Sequence, residues 1–238
     1  FPFLYPHQES GLERLFARQL AENPESDFAN KLNALICALD TGISKITVKE
    51  EDISQLKFPE NLPLEIKTKL LEDYRYRIRT VHDLFDQNGE KIGTEEFDIT
   101  EESSGTRSMI PMAGLILEAL EKGQVLIMDE FEKNLHPMIT SYLIQLFHNE
   151  LTNPSKAQLI LATHDTTQLN EETFNRDQIW FTEKNGYGAT ELYRCSNING
   201  LRINAPLDKW YMSGRLGATA IINDVDFIIA MQEEKEIV

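Results

Sequence analysis

The sequence predicts an α/β fold with a mainly parallel sheet, preceded by a mostly helical segment over residues 1–70. Three observations predict it. Two short apolar runs, VLIM at 125–128 and LILA at 159–162, each end in polar residues and are separated by a helical stretch. Strand–helix–strand alternation of this kind reads as a βαβ unit with parallel strands. Apolar residues in the first 40 positions instead recur at helical spacing.

The elements follow in order. HQESGLERLFARQLAEN places Leu12, Leu15, Phe16 and Leu20 on one stripe, a helix. A second helix is expected from Asp27 as N-cap through Leu32, Leu35, Ile36 and Leu39, ending before Gly42. SKITVKEE alternates like a strand, and KFPENLPLE, with Pro59 and Pro63, reads as a loop and a boundary. Residues 71–238 then form the second region. YRIRTVHDLFD and KIGTEEFDI flank Gln87-Asn88-Gly89 as a β-hairpin. A helix is expected near Thr106, with a kink or late start at Pro111. The strand QVLIMDE, a helix from Pro137 and the strand AQLILATH follow, and QIWFTEK and ATELYRC close a second hairpin.

Composition excludes several classes. The 238 residues carry 23 basic and 39 acidic side chains, a net charge of −16, so the average surface repels nucleic acid. No apolar run approaches the roughly 20 residues of a membrane span. The start, FPFLYPHQES, has no signal-peptide pattern, so a cytoplasmic location is expected. It also lacks an initiator Met, and the chain reads as a fragment or processed piece. Cys37 and Cys195 show no metal-ligand spacing and are expected to be buried free thiols.

Three motifs bear chemistry. VLIMDEFEKNLHP is an apolar strand delivering Asp129 and Glu130 to the end where α/β sheets bind ligands. Nucleotide hydrolysis needs one carboxylate for the hydration shell of Mg²⁺ and one for the attacking water, roles that fit Asp129 and Glu130. Two acids at a strand end can equally be plain surface residues. AQLILATHD ends in His164, about 35 residues after Asp129. That imidazole could bond a phosphate or be structural. EESSGTRS sets Ser103, Ser104, Gly105 and Thr106 at a helix N-terminus, which suits phosphate oxygens and also a simple Ser cap.

In this order the motifs resemble the RecF/SMC-like ABC ATPases, and more closely the ATPases of bacterial phage-defence loci, the abortive-infection AbiL/RloA-like group. ESSGTR, DEFEKNLHP, LATHDT, DQIWFTEKNGYGATELY, YMSGRLGA and LDTGISKITV carry the resemblance, which covers roughly residues 70–222. It implies the C-terminal lobe of an ABC-type head, with residues 1–70 as an inserted arm or lid. It makes Ser103–Thr106 the signature that binds ATP held by an opposite subunit, Asp129 the Mg²⁺-associated acid, Glu130 the general base and His164 the switch histidine. Glu132–His136 becomes the D-loop region crossing a dimer interface. An ATP-driven dimeric switch governing a toxin or nuclease effector is implied. A DNA-repair head, a transporter ATPase and a non-hydrolytic ATP-bound scaffold are the alternatives.

One departure stands out. A phosphate loop needs Gly-Lys-Ser/Thr, and no Gly-Lys dipeptide occurs in the sequence. The loop is expected on a segment N-terminal to Phe1, leaving this chain unable to hydrolyse ATP alone. The stripe Tyr74-Arg75-Tyr76-Arg77-Ile78-Arg79 could face nucleic acid or form a solvated edge strand, and Gly214–Gly217 reads as a structural turn.

Overall fold

A computed structural model describes residues 3–4, 9–39, 41–52, 59, 62–202, 205–220, 222 and 224–233. The chain divides into two compact units, Phe1–His164 and Asp165–Val238. In the first, the order is β1 (Phe3–Leu4), α1 (Glu9–Glu22), α2 (Asp27–Cys37), β2 (Ile43–Glu50), α3 (Leu64–Tyr74), β3 (Tyr76–Phe85), β4 (Lys91–Asp98), α4 (Ser104–Lys122), β5 (Val125–Met128), α5 (Pro137–His148) and β6 (Gln158–Leu161). The second holds β7 (Trp180–Lys184), β8 (Thr190–Arg194), α6 (Leu207–Met212) and α7 (Val225–Glu233). The fold is mixed α/β.

Among the described residues parallel pairing is confined to one sheet, in the order β1-β5-β6, with Leu4 beside Met128 and Met128 beside Leu161. The sheets β2-β3-β4 and β7-β8 are antiparallel. Val125–Met128 alternates half-buried and buried, as expected of a strand with one covered face. The apolar run LILA reads as a strand, and β6 is an edge strand among the described residues, with Ile160 54% exposed.

α4 is the axis of the first unit. It packs against α1 and α2 on one side and β5 on the other, so Ser108 to Ile116 are all buried. A surface helix buries only a stripe, whereas one covered on two sides must be apolar nearly all round. Pro111 neither delays the start nor breaks the helix: α4 begins at Ser104 and runs through it. Its buried position lets tertiary packing override the missing N–H. The α1–α4 contact is close because Gly114 has no side chain: a Cβ there would lie 2.6 Å from the Phe16 ring. Phe16 also stacks on Phe28 of α2 at 5.8 Å.

Three local expectations are corrected. The N-cap of α2 is Ser26, whose hydroxyl accepts from the Ala29 N–H, and Asp27 is the first helical residue. Cys37 is exposed, although Cys195 is buried and both are free thiols. The basic–aromatic stripe is not an edge, because β3 is the central strand of its sheet. Two of its three arginines are matched to acids, Arg75 to Glu50 at 2.8 Å and Arg79 to Glu51 at 2.6 Å and Asp98 at 3.1 Å, while Arg77 lies 5.9 Å from the Tyr74 ring centre.

The second unit is built on Ile179, Phe181, Cys195, Leu207 and Leu216. The Tyr193 hydroxyl donates to the Leu216 carbonyl at 2.7 Å, and Gly214 and Gly217 both have positive φ. This is the structural turn expected from GRLG. Among the described residues no helix is long and apolar enough to cross a membrane.

The Phe16–Gly114 contact gives a test. Gly114→Ala should cost about 1–3 kcal/mol by overpacking. Gly11→Ala, at a helical position with nothing within 4 Å, should be neutral or slightly stabilising. Urea unfolding of the two variants measures both.

Candidate functional site

The C-terminal ends of β5 and β6 bring two of the three motifs side by side. The Ala162 N–H donates to the Met128 carbonyl at 2.9 Å, and the Phe131 N–H to the Ala162 carbonyl at 3.4 Å. Between these ties sit Asp129 and Glu130, both exposed. Phe131 is fully buried and anchors the turn in the core. Glu130 adopts φ 50°, a left-handed conformation that is costly for a non-glycine residue. Its side chain is 50% exposed, with Lys133 Nζ at 3.9 Å, a weak pairing. The Asp129 carboxylate accepts from the Glu130 N–H at 3.1 Å.

The chain then winds through tight turns. The Lys133 N–H donates to the Glu130 carbonyl and the Leu135 N–H to the Glu132 carbonyl, with Asn134 at φ 61°. His136 caps α5, its Nδ1 accepting from the Met138 N–H at 3.3 Å, and Pro137 occupies the first turn. Glu132 reaches across to His164. Its Oε1 lies 2.9 Å from the His164 N–H and 2.9 Å from Nδ1.

The third motif reaches this turn through its glycine. Ser103 caps α4, its Oγ accepting from the Thr106 N–H at 3.1 Å and lying 2.9 Å from the Thr106 hydroxyl. A Cβ on Gly105 would fall 2.4 Å from the Asn134 carbonyl oxygen. Ser103 and Ser104 are exposed. Just before them, Glu102 is held from the antiparallel sheet: its Oε1 accepts from the Thr80 hydroxyl at 2.5 Å and lies 2.7 Å from His82 Nε2. Asp98 starts the preceding 3₁₀ turn with a capping box, Thr100 and Glu101 supplying the reciprocal bonds.

Glu102, Thr80, His82 and Asn134 escaped the sequence reading. Glu102 sits in an acidic run that reads as solvated, and nothing in a hairpin pattern marks His82 as its partner. The resemblance grouped Glu132 with the segment to His136, without indicating its bond to His164. An open depression of about 640 Å³, lined by residues including Phe147, Asn153 and Gln158, lies where β6 begins, at the other end of the strand from His164. None of the candidate site residues lines it.

A family model described as "AAA domain, putative AbiEii toxin, Type IV TA system" matches residues 3–170, well over half of the chain and all of this site. The chain belongs to this family. It is an AAA, P-loop ATPase family related to abortive-infection systems, which gives the chain an ATPase-type domain of a defence or toxin system. A search of curated proteins returns no match.

Among the described residues no group of three His, Cys, Asp or Glu side chains could cage a metal. Mg²⁺ binds through one or two carboxylates together with water and phosphate oxygens, and Asp129 carries one exposed carboxylate.

Two measurements check this geometry. Gly105→Ala should force the Asn134 carbonyl aside and cost about 1–3 kcal/mol. Ser104→Ala, at an exposed position, should stay within about 0.5 kcal/mol. Denaturant unfolding compares them, with hydrogen exchange at Lys133–Leu135 reporting the displaced turn. The second concerns Asp98. Burial raises its carboxyl, but the Thr100 hydroxyl and N–H, with Arg79 beside them, hold it below the ordinary aspartate range. A depressed folded value means stability present above about pH 4 and lost as pH falls through that lower value. Asp98→Asn should therefore be less stable than the parent at pH 7, with the difference shrinking below about pH 4.

Proposed function

We propose that this chain is the acid-bearing side of an ATP-driven switch in an anti-phage or toxin–antitoxin complex, built as a head of the RecF/SMC type. The observation that carries the proposal is the juxtaposition at the ends of two adjacent parallel strands: Asp129 and Glu130 after β5, His164 after β6. A strained Glu130 at such an end is a further support, since backbone strain concentrates where chemistry requires a particular side-chain direction.

In this reading Glu130 takes the proton of the attacking water and orients it. Asp129 would hold Mg²⁺ through its water shell, and the ion would neutralise charge developing on the phosphates. His164 hydrogen-bonds the terminal phosphate and so distinguishes ATP from ADP. Ser103–Thr106, at the N-terminus of the 19-residue α4, form the phosphate seat presented to a second head. Gly105 has a cis explanation as well, because the Asn134 carbonyl alone demands a residue without Cβ there.

The site is composite under this proposal. A phosphate-binding loop outside this chain and a signature from a partner head complete it, so the chain is not self-sufficient. The exposed Ile160 on β6 suits a sheet completed by further strands. Residues 1–70 serve as an arm or lid on the head, and residues 71–238 as its C-terminal part. The assembly is a dimer or higher oligomer in the cytoplasm, coupled to a toxin or nuclease effector. The pairing of Arg75 and Arg79 with acids disfavours the DNA-repair reading, since those guanidinium groups are already engaged.

Glu130→Gln in the full-length protein decides the mechanism. It should bind ATP as the parent does and turn over roughly 10²–10⁴ times more slowly. Parental turnover in that variant sinks the assignment. If hydrolysis-dead protein still protects cells against phage, the chain acts as an ATP-bound scaffold instead.

A further inference from the structure

We propose that Glu132 is the positioning residue for His164, gripping the imidazole at Nδ1 so that Nε2 is the ring atom offered to the ligand. This deepens the reading of His164 given above and rests on it.

Three observations meet here. The Glu132 side chain is only 10% exposed, whereas that of His164 is 84% exposed. One carboxylate oxygen, Oε1, stands 2.9 Å from both the His164 N–H and Nδ1. The other, Oε2, is buried with no hydrogen-bond partner. An exposed histidine at a strand end ordinarily samples several rotamers. Contact at the backbone N–H and at the ring from the same oxygen removes that freedom.

The carboxylate also selects the protonation pattern of the ring. A buried carboxylate is costly unless it is hydrogen-bonded, and one oxygen is already without a donor. A bare Nδ1 would set a lone pair against Oε1 and leave the charge still less compensated. A protonated Nδ1 donates to Oε1 instead. The same logic fixes metal-binding and triad histidines, where a carboxylate at one nitrogen sets the role of the other. Nε2 then donates to an anionic oxygen when the ring carries both protons, and accepts from water when it carries one.

Nitrogen-15 labelling of histidine in the full-length protein tests this, with His164→Ala identifying the ring signals. The expected result is a protonated Nδ1 at His164 in the parent and in Glu132→Gln, whose amide oxygen still accepts. In Glu132→Ala the ring should revert to the Nε2–H form. An Nε2–H ring in the parent, or unchanged signals in Glu132→Ala, overturns the proposal. Should Glu132→Ala fail to fold, Glu132→Gln decides alone: an Nε2–H ring there overturns it. In turnover, Glu132→Ala should lower kcat about 10- to 100-fold with KM little changed, and Glu132→Gln should recover part of it. Glu132→Ala/His164→Ala should be no slower than His164→Ala. A change in KM alone, or fully additive losses, also overturns the role. Failure of Glu130→Gln to slow turnover would instead strike the ATPase assignment, leaving the ring result to judge Glu132 separately.

Discussion

The close approach of Gly105 to the Asn134 carbonyl is the constraint on which the rest of the site depends. It locks the first turn of α4 to the turn after β5, two segments that the sequence separates by a whole helix and a strand. Because that turn is also tied to β6 through Phe131 and Glu132, displacement at Gly105 would be felt at Glu130 and His164. The turn has little slack. Glu130 and Asn134 both hold positive φ, and the buried Phe131 ring between them resists rotation of the segment as a whole. Strain of this kind persists only where surrounding contacts over-determine the backbone.

α4 transmits this constraint into the body of the first unit. Its N-terminus carries the Ser103 cap and its middle is buried between α1, α2 and β5, so the helix cannot shift without disturbing both layers. The antiparallel sheet holds the same end from another direction, through Thr80 and His82 on Glu102. Glu102 immediately precedes the capping serine. Ser103–Thr106, the proposed phosphate seat, are thus held by helix packing on one side and by the part-buried Glu102 carboxylate on the other.

Much of this was legible in the residues and some was not. The strands at Val125–Met128 and Gln158–Leu161 and the helices between and before them follow from apolar period and caps, which are local signals. The edge position of β6 and the central position of β3 were not legible, because strand order depends on contacts distant in sequence. YRYRIR accordingly reads as a solvated edge, although Glu50, Glu51 and Asp98 on neighbouring strands or just beyond them bind Arg75 and Arg79. At the site, order and spacing pointed to Asp129, Glu130, His164 and Ser103–Thr106 as candidates. They could not indicate Glu132 as partner of His164 or Asn134 as partner of Gly105, since both pairings are made by backbone turns with positive φ. The match over residues 3–170 supports the family and leaves those roles to experiment.

Charge explains why the proposed site would need completing. The turn itself supplies Asp129, Glu130 and Glu132 against Lys133, whose 3.9 Å approach to Glu130 is loose. With a chain charge of −16 around them, these acids would repel a polyphosphate. Such a set suits the half of a hydrolytic site that manages water and protons. In the proposed assembly the half that attracts phosphate would bring cations: a divalent ion at Asp129, a lysine on a glycine-rich loop, and helix N-termini such as that of α4 presented by a partner. An acid-rich half-site of this kind would bind nucleotide only when the other half arrives, and that requirement would make ATP binding and assembly one event.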